Sequence, residues 1–135
     1  MSLSLPVECV DILTNAEGKA LATQHVDDGV HVVPVSVLYV HEDHLTLVNF
    51  FMGQTLKNIE ADSAVSLAVW RGLSGYQIKA TATHYTDGAL FDEVVTTIAD
   101  TMPERTVQGV LTLEPHTIFD ISADRERAGA LVWSA

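Results

Sequence analysis

Between Asn49 and Asp62 the chain reads NFFMGQTLKNIEAD, an extended apolar run that breaks at Gly53 and gives way to a short helix. The rest of the chain is organised around this junction. A strand that ends in glycine and starts a helix leaves several backbone N–H groups unpaired, and their partial positive charge points at whatever sits in front of them. Thr55 adds a hydroxyl and Lys57 a cation. The junction is therefore a candidate anion site, suited to the phosphate of a nucleotide-like cofactor.

The global charge sharpens that reading. With 18 Asp and Glu against 7 Lys and Arg, the formal net charge is −11. Affinity for nucleic acid comes largely from cations that release counterions, so a nucleic-acid partner is not expected. An acidic shell also repels a phosphate, so a phosphate site here has to be local, built from donors at contact range. The mean hydropathy is +0.21, which argues against disorder, while no apolar run is long enough to span a bilayer. The first ten residues lack the basic start, apolar core and small-residue cleavage site of a secretion signal, and the single cysteine, Cys9, has no internal partner. Both features suit a cytoplasmic protein. A chain of 135 residues is expected to form one domain, residues 1–135, burying roughly two thirds of its unfolded surface.

Pattern places the elements. Pro6 suits the first turn of a short amphipathic helix from Val7 to Asn15. Ala20 to His25 and His31 to Val40 read as strands joined by the turn residues Asp27, Asp28 and Gly29. Pro34 cannot donate to a ladder, so the second strand there belongs at an edge, a bulge or a ligand. Leu45 to Phe51 is the next strand, followed by the helical piece Thr55 to Ala61. Ala64 to Arg71 and Tyr76 to Tyr85 are strands around the loop Gly72 to Gly75. Thr86, Asp87 and Gly88 precede the clearest helix, Ala89 to about Asp100, with Val94, Val95 and Ile98 at helical spacing. Val107 to Leu113 and Thr117 to Ile121 read as two strands separated by Glu114, Pro115 and His116, and Ala130 to Trp133 as a last short one. Hairpin-linked strands, six or seven in number, with two or three peripheral helices predict a small antiparallel barrel in an α+β setting, a mainly β fold.

Other constellations carry less. His41, Glu42, Asp43 and His44 form a dense cluster, but one at a hairpin tip and without the Cys or third His of a closed zinc site, so no metal is expected. No nucleophile elbow and no glycine-rich dinucleotide loop is present. Trp70 and Trp133 suit packing or subunit contact. Arg71, beside the Gly72 to Gly75 loop, has two open readings: it reaches a bound anion, or it meets a surface carboxylate.

The order of these pieces resembles the FMN-binding split barrel of the pyridoxamine 5'-phosphate oxidase-like superfamily, above all its small stand-alone FMN-binding proteins. The resemblance is carried by ALATQHVDDGVHVVPVSVLYV from Ala20, LVNFFMGQTLKNIEADSAVSLAV from Leu47 and YQIKATATHYTDG from Tyr76, and covers about Leu13 to Ile121. It implies a six- to seven-stranded antiparallel split β-barrel and a homodimer with FMN at the subunit interface. Pro34, Val35 and Ser36 then become candidate contacts of the isoalloxazine and ribityl groups, and Asn49, Phe50 and Phe51 of the ring edge. Thr55 matches a Ser or Thr phosphate ligand, and the segment from Gln54 to Lys57 is the one expected to meet the phosphate. The pattern departs at Gln54, where a lysine is common, so the basic role passes to Lys57 or Arg71; Ala80 likewise stands where glycine is common. The implied function is flavin redox chemistry, either as an oxidoreductase working between small-molecule donors and acceptors or as a non-catalytic electron carrier. Related barrels take haem or the deazaflavin F420 instead. Oxidation of pyridoxamine 5'-phosphate itself is not expected, because RERAGALVWSA does not reproduce the basic C-terminal signature of that enzyme class.

Overall fold

A computed structural model of the chain describes residues 4–135. Three helices, α1 (Val7–Asn15), α2 (Gly53–Ala61) and α3 (Ala89–Thr101), accompany eight strands: β1 (Gly18–His25), β2 (Gly29–Pro34), β3 (Leu38–Val40), β4 (Leu45–Asn49), β5 (Ala64–Arg71), β6 (Ser74–Tyr85), β7 (Gly109–Asp120) and β8 (Leu131–Ser134). All strand pairs are antiparallel, in the order β2-β1-β5-β6-β7-β4-β3, with β8 on β7. The split antiparallel barrel and its α+β setting are as the sequence predicts, with eight strands where six or seven were expected. Among the described residues no helix is long and apolar enough to cross a membrane.

Alternation explains the strands. Along β5 the side chains of Val65, Leu67 and Val69 are buried, with the half-buried Ser66 and Ala68 between them on the other face. β4 is buried at all five positions because both of its faces are covered. Leu45 and Leu47 enter the barrel interior with Leu21, Leu67, Ile78, Leu111 and Leu113, whereas Val48 joins Val37, Phe50 and Val110 beneath Val94 and Ile98 of α3. α1 adds Cys9, Ile12 and Leu13 to the interior and α2 adds Ile59. Each such side chain contributes about 1.5–3 kcal/mol by leaving water.

Two sequence expectations need correction. The single strand expected from His31 to Val40 divides into β2 and β3 around a corner at Val35, Ser36 and Val37. Val35 is buried in the barrel interior and Val37 under α3, so the corner carries the chain from one apolar cluster to the other and leaves Ser36 outside. The two strands expected from Val107 to Leu113 and from Thr117 to Ile121 are instead one continuous β7. Lys79 pairs with Thr117 and Ala80 with Pro115, so His116 is the extra residue of a bulge, which absorbs a proline lacking an N–H.

The division at Ser36 decides the architecture. β2 and β3 are the two ends of the strand order, yet they are consecutive in the chain. The ring is thus closed at this point by the covalent corner and not by a ladder, with the Val35 N–H donating to the Lys19 carbonyl (3.0 Å) to pin it against β1. This seam is where the backbone is least committed to its own sheet.

Candidate functional site

The junction between β4 and α2 is anchored by Asn49, 2% exposed. Its Oδ1 accepts the Met52 N–H (2.8 Å), and its carbonyl accepts the Gln108 N–H (2.8 Å). Its Nδ2 therefore donates to His84 Nε2 (3.3 Å), which requires the neutral imidazole with its proton on Nδ1. Burial pushes the His84 pKa down, in keeping with that state. The ring has room only because residue 109 is glycine: a Cβ there would lie 2.2 Å from His84 Nε2. Asn49 thus sets the turn from inside, while Phe50 and Phe51 continue past it.

Gly53 has a different role from the one its position suggests. Its φ is not in the left-handed region, so the break does not depend on glycine's backbone freedom. The position faces open space, since an added Cβ would meet no atom within 4 Å. Behind that opening no side chain caps α2. Thr55, in the first turn, is 1% exposed and its hydroxyl has no hydrogen-bond partner. A buried hydroxyl left in that state costs about 1–3 kcal/mol, which an accepting oxygen would relieve. Gln54 is committed elsewhere, its Nε2 donating to Asn58 Oδ1 (2.8 Å) while Asn58 Nδ2 donates to Thr23 Oγ1 (2.9 Å), tying the helix to β1. Lys57 is exposed on the next turn.

A cavity of about 390 Å³ opens at the seam. One wall is the end of β2 and the corner, from Val33 through Pro34 and Val35 to Ser36; the other is Val48, Phe50, Phe51 and Met52. Small-molecule sites are commonly about 300–1,000 Å³ and mostly apolar with a few placed polar groups. The polar group here is Arg105, from the loop after α3, whose guanidinium carbon lies 5.0 Å from the Phe50 ring centroid and whose Nη1 donates to Ser36 Oγ (3.3 Å). Sequence reasoning did not single out Arg105. The signal was available: it is one of only seven cations, and it follows Pro103 directly after the clearest helix.

Of the residues proposed from sequence, the structure brings Pro34, Val35, Ser36, Phe50 and Phe51 to one cavity. It places Asn49 beneath the wall, and Gln54, Thr55 and Lys57 on the helix that starts where the wall ends. Arg71 is elsewhere. It closes β5 at the end away from α2, roughly 20 Å along a strand of that length, and its Nη2 donates to Asp11 Oδ2 of α1 (3.1 Å). Of its two open readings, the structure takes the surface carboxylate.

The fold has solved relatives. HupZ from Group A Streptococcus superposes with a TM-score of 0.79 at 21% identity, covering 93% of this chain and 98% of that one. An FMN-binding protein from Syntrophomonas wolfei gives 0.71 at 16% identity, covering 88% and 92%. HutZ, the heme storage protein from Vibrio cholerae, gives 0.67 at 14% identity, covering 87% and 94%. At these identities the likeness establishes the fold. A search of the curated proteins returned no significant match. The pyridoxamine 5'-phosphate oxidase family matches residues 5–128, a span that contains the seam, the Asn49 turn and α2 in full, and the chain belongs to that family.

Proposed function

We propose that the chain binds FMN at the seam cavity and serves as a flavin-dependent oxidoreductase. The observation that carries this reading is the joining of two unlike surfaces: an apolar cleft bounded by an incomplete sheet edge, running into an uncapped helix start with an orphaned buried hydroxyl. A ring system suits the first and a phosphate the second. The Syntrophomonas wolfei relative is described as FMN-binding, which supports the choice among planar anionic cofactors. Bound FMN supplies reversible electron uptake; the chain's residues hold and orient it and keep water from one face.

Micromolar binding needs about 8 kcal/mol. Two or three charge-assisted hydrogen bonds at about 1.5–3 kcal/mol each leave a large share to ring burial, and an open cleft in one subunit covers only part of a ring. Phe51 is 93% exposed beside the cleft, and Val30 and Val32 on the edge strand β2 are 76% and 63% exposed. A second copy covering these residues would complete the enclosure, so the functional unit is a homodimer with FMN at the interface. Its partners are small-molecule electron donors or acceptors.

The test is titration of the purified protein with FMN, read by quenching of flavin fluorescence. Saturation at one FMN per chain is expected, and absence of quenching overturns the proposal. A haem-type absorption band on adding haem, with no FMN binding, would instead align the chain with the Vibrio cholerae relative. Steady consumption of NADH or NADPH with an artificial acceptor separates an enzyme from an electron carrier.

A further inference from the structure

On the FMN reading the phosphate belongs to α2, whereas the one cation that lines the cavity comes from the loop after α3. Arg105 shares that wall with Ser36 and Phe50, and among the described residues it has no carboxylate partner, although acidic residues outnumber cations more than two to one. A guanidinium resting on an aromatic face and held by a hydroxyl presents its remaining N–H groups as a planar fork, the geometry that suits a delocalised oxyanion or an N–C=O edge. In a chain of net charge −11, such a group is the local exception that fixes which charge state of a ligand is tolerated.

Resting on the FMN reading above, we propose that Arg105 is the charge-selecting residue of the site: it meets the electron-rich edge of the bound ring and favours the reduced, anionic flavin over the oxidised, neutral one. Reduction of the isoalloxazine by two electrons and one proton gives a monoanion whose charge is shared between N1 and the adjacent carbonyl. The second proton is withheld because the guanidinium compensates that charge. The electrons come from a chemical reductant such as dithionite in the experiment, or from a small-molecule donor in function. Arg105 acts on the cofactor's charge, and the phosphate remains with α2.

The experiment compares wild type, Arg105→Gln and Arg105→Lys, each loaded with FMN. Three quantities are read: the affinity for oxidised FMN, the affinity for riboflavin, and the midpoint potential with its dependence on pH. Arg105 is exposed and in a loop, so the variants are expected to fold. The proposal expects Arg105→Gln to keep oxidised FMN binding within about threefold of wild type while losing about tenfold of the preference for the reduced form, which lowers a two-electron potential by about 30 mV. Arg105→Lys should retain most of the wild-type potential. Proton uptake per two electrons at neutral pH should rise from one in wild type towards two in the glutamine variant. An unchanged potential with FMN bound overturns the role of Arg105 alone. A loss confined to FMN, with riboflavin binding unaffected, also overturns it by moving the arginine to the phosphate. Wild type that binds neither flavin overturns the FMN reading as well.

Discussion

Two strand-to-turn junctions in this molecule are built from similar parts and do opposite things. At Asn49 to Gly53, β4 is followed by two aromatic residues and α2 opens on a glycine; at Trp70 to Gly75, β5 ends in an aromatic residue and an arginine, with Gly72 in the turn and Gly75 at the start of β6. The second junction closes on itself. Arg71 pairs with Asp11, the Gly72 N–H donates to the Glu17 carboxylate, and the Trp70 indole lies so close over Gly18 that a Cβ there would be 2.1 Å from Cζ2. The first junction is satisfied only from below, through Asn49, and remains open above, with an uncapped helix, a hydroxyl without a partner and a cavity in front. A cation beside a glycine turn is therefore not enough to suggest an anion site; the proposed site rests instead on a donor left without an acceptor beside an open cavity.

The largest effect that would break this contrast is loss of the Asn49 anchor. Asn49→Ala leaves the buried Met52 N–H without an acceptor and should destabilise the fold by about 2 kcal/mol. It should also weaken FMN binding more than tenfold, because Phe50, Phe51 and Met52 lose their fixed place on the cavity wall. Urea unfolding of the apoprotein and FMN titration measure the two effects separately. Unchanged stability would mean that the turn is held by something other than Asn49.

How far the sequence led follows from the same contrast. Strands and helices were legible because apolar alternation and helical spacing are local: α1 and β5 have the predicted ends, and α3 extends only one residue further. The split of His31 to Val40 was not, since an apolar run through Val33, Val35 and Val37 looks the same whether its side chains enter one core or two. Pro34 marked the place without saying what happened there. Candidate contacts on the seam were legible through a family resemblance, while Arg105 was not, because it reaches the cavity from 69 residues away in sequence. Arg71 could not be assigned from sequence, since its fate depends on an aspartate 60 positions distant.

Thr55 gives the next largest effect. Thr55→Val replaces the orphaned hydroxyl with a methyl of similar shape, so the apoprotein should be equally stable or slightly more so. FMN affinity should fall about tenfold and riboflavin affinity should not move, as expected for loss of one charge-assisted hydrogen bond to a phosphate. Equal losses for both flavins would place the phosphate away from α2.

A smaller effect is carried by His84. Burial keeps its folded pKa below the ordinary value of 6.5, so the folded chain holds fewer protons than the unfolded one as the pH drops through that value. Stability is then complete above about 6.5 and falls as the pH is lowered towards the folded pKa. His41, lowered chiefly by burial and then by His44, acts with the same sign, so the informative quantity is a difference. His84→Gln keeps an acceptor for Asn49 Nδ2 and removes the titration; its stability should decline less steeply below pH 6.5 than that of wild type. Parallel curves would remove His84 from the account.

Arg71→Gln is expected to do least, and for that reason tests the contrast most directly. The Arg71–Asp11 pair is about half exposed on both sides, at 47% and 51%, and pairs of this kind contribute about 0–1 kcal/mol. Stability should therefore change by less than about 0.5 kcal/mol, with the difference shrinking further in high salt as screening weakens the wild-type pair. Affinities for FMN and riboflavin should both stay within about twofold, since the guanidinium is engaged at the far end of β5 and a charge beyond the roughly 10 Å screening length has little hold on a phosphate. A selective loss of FMN affinity in this variant would show that the self-satisfied junction also takes part in binding, through a second copy of the chain, and the rule drawn from comparing the two junctions would fail.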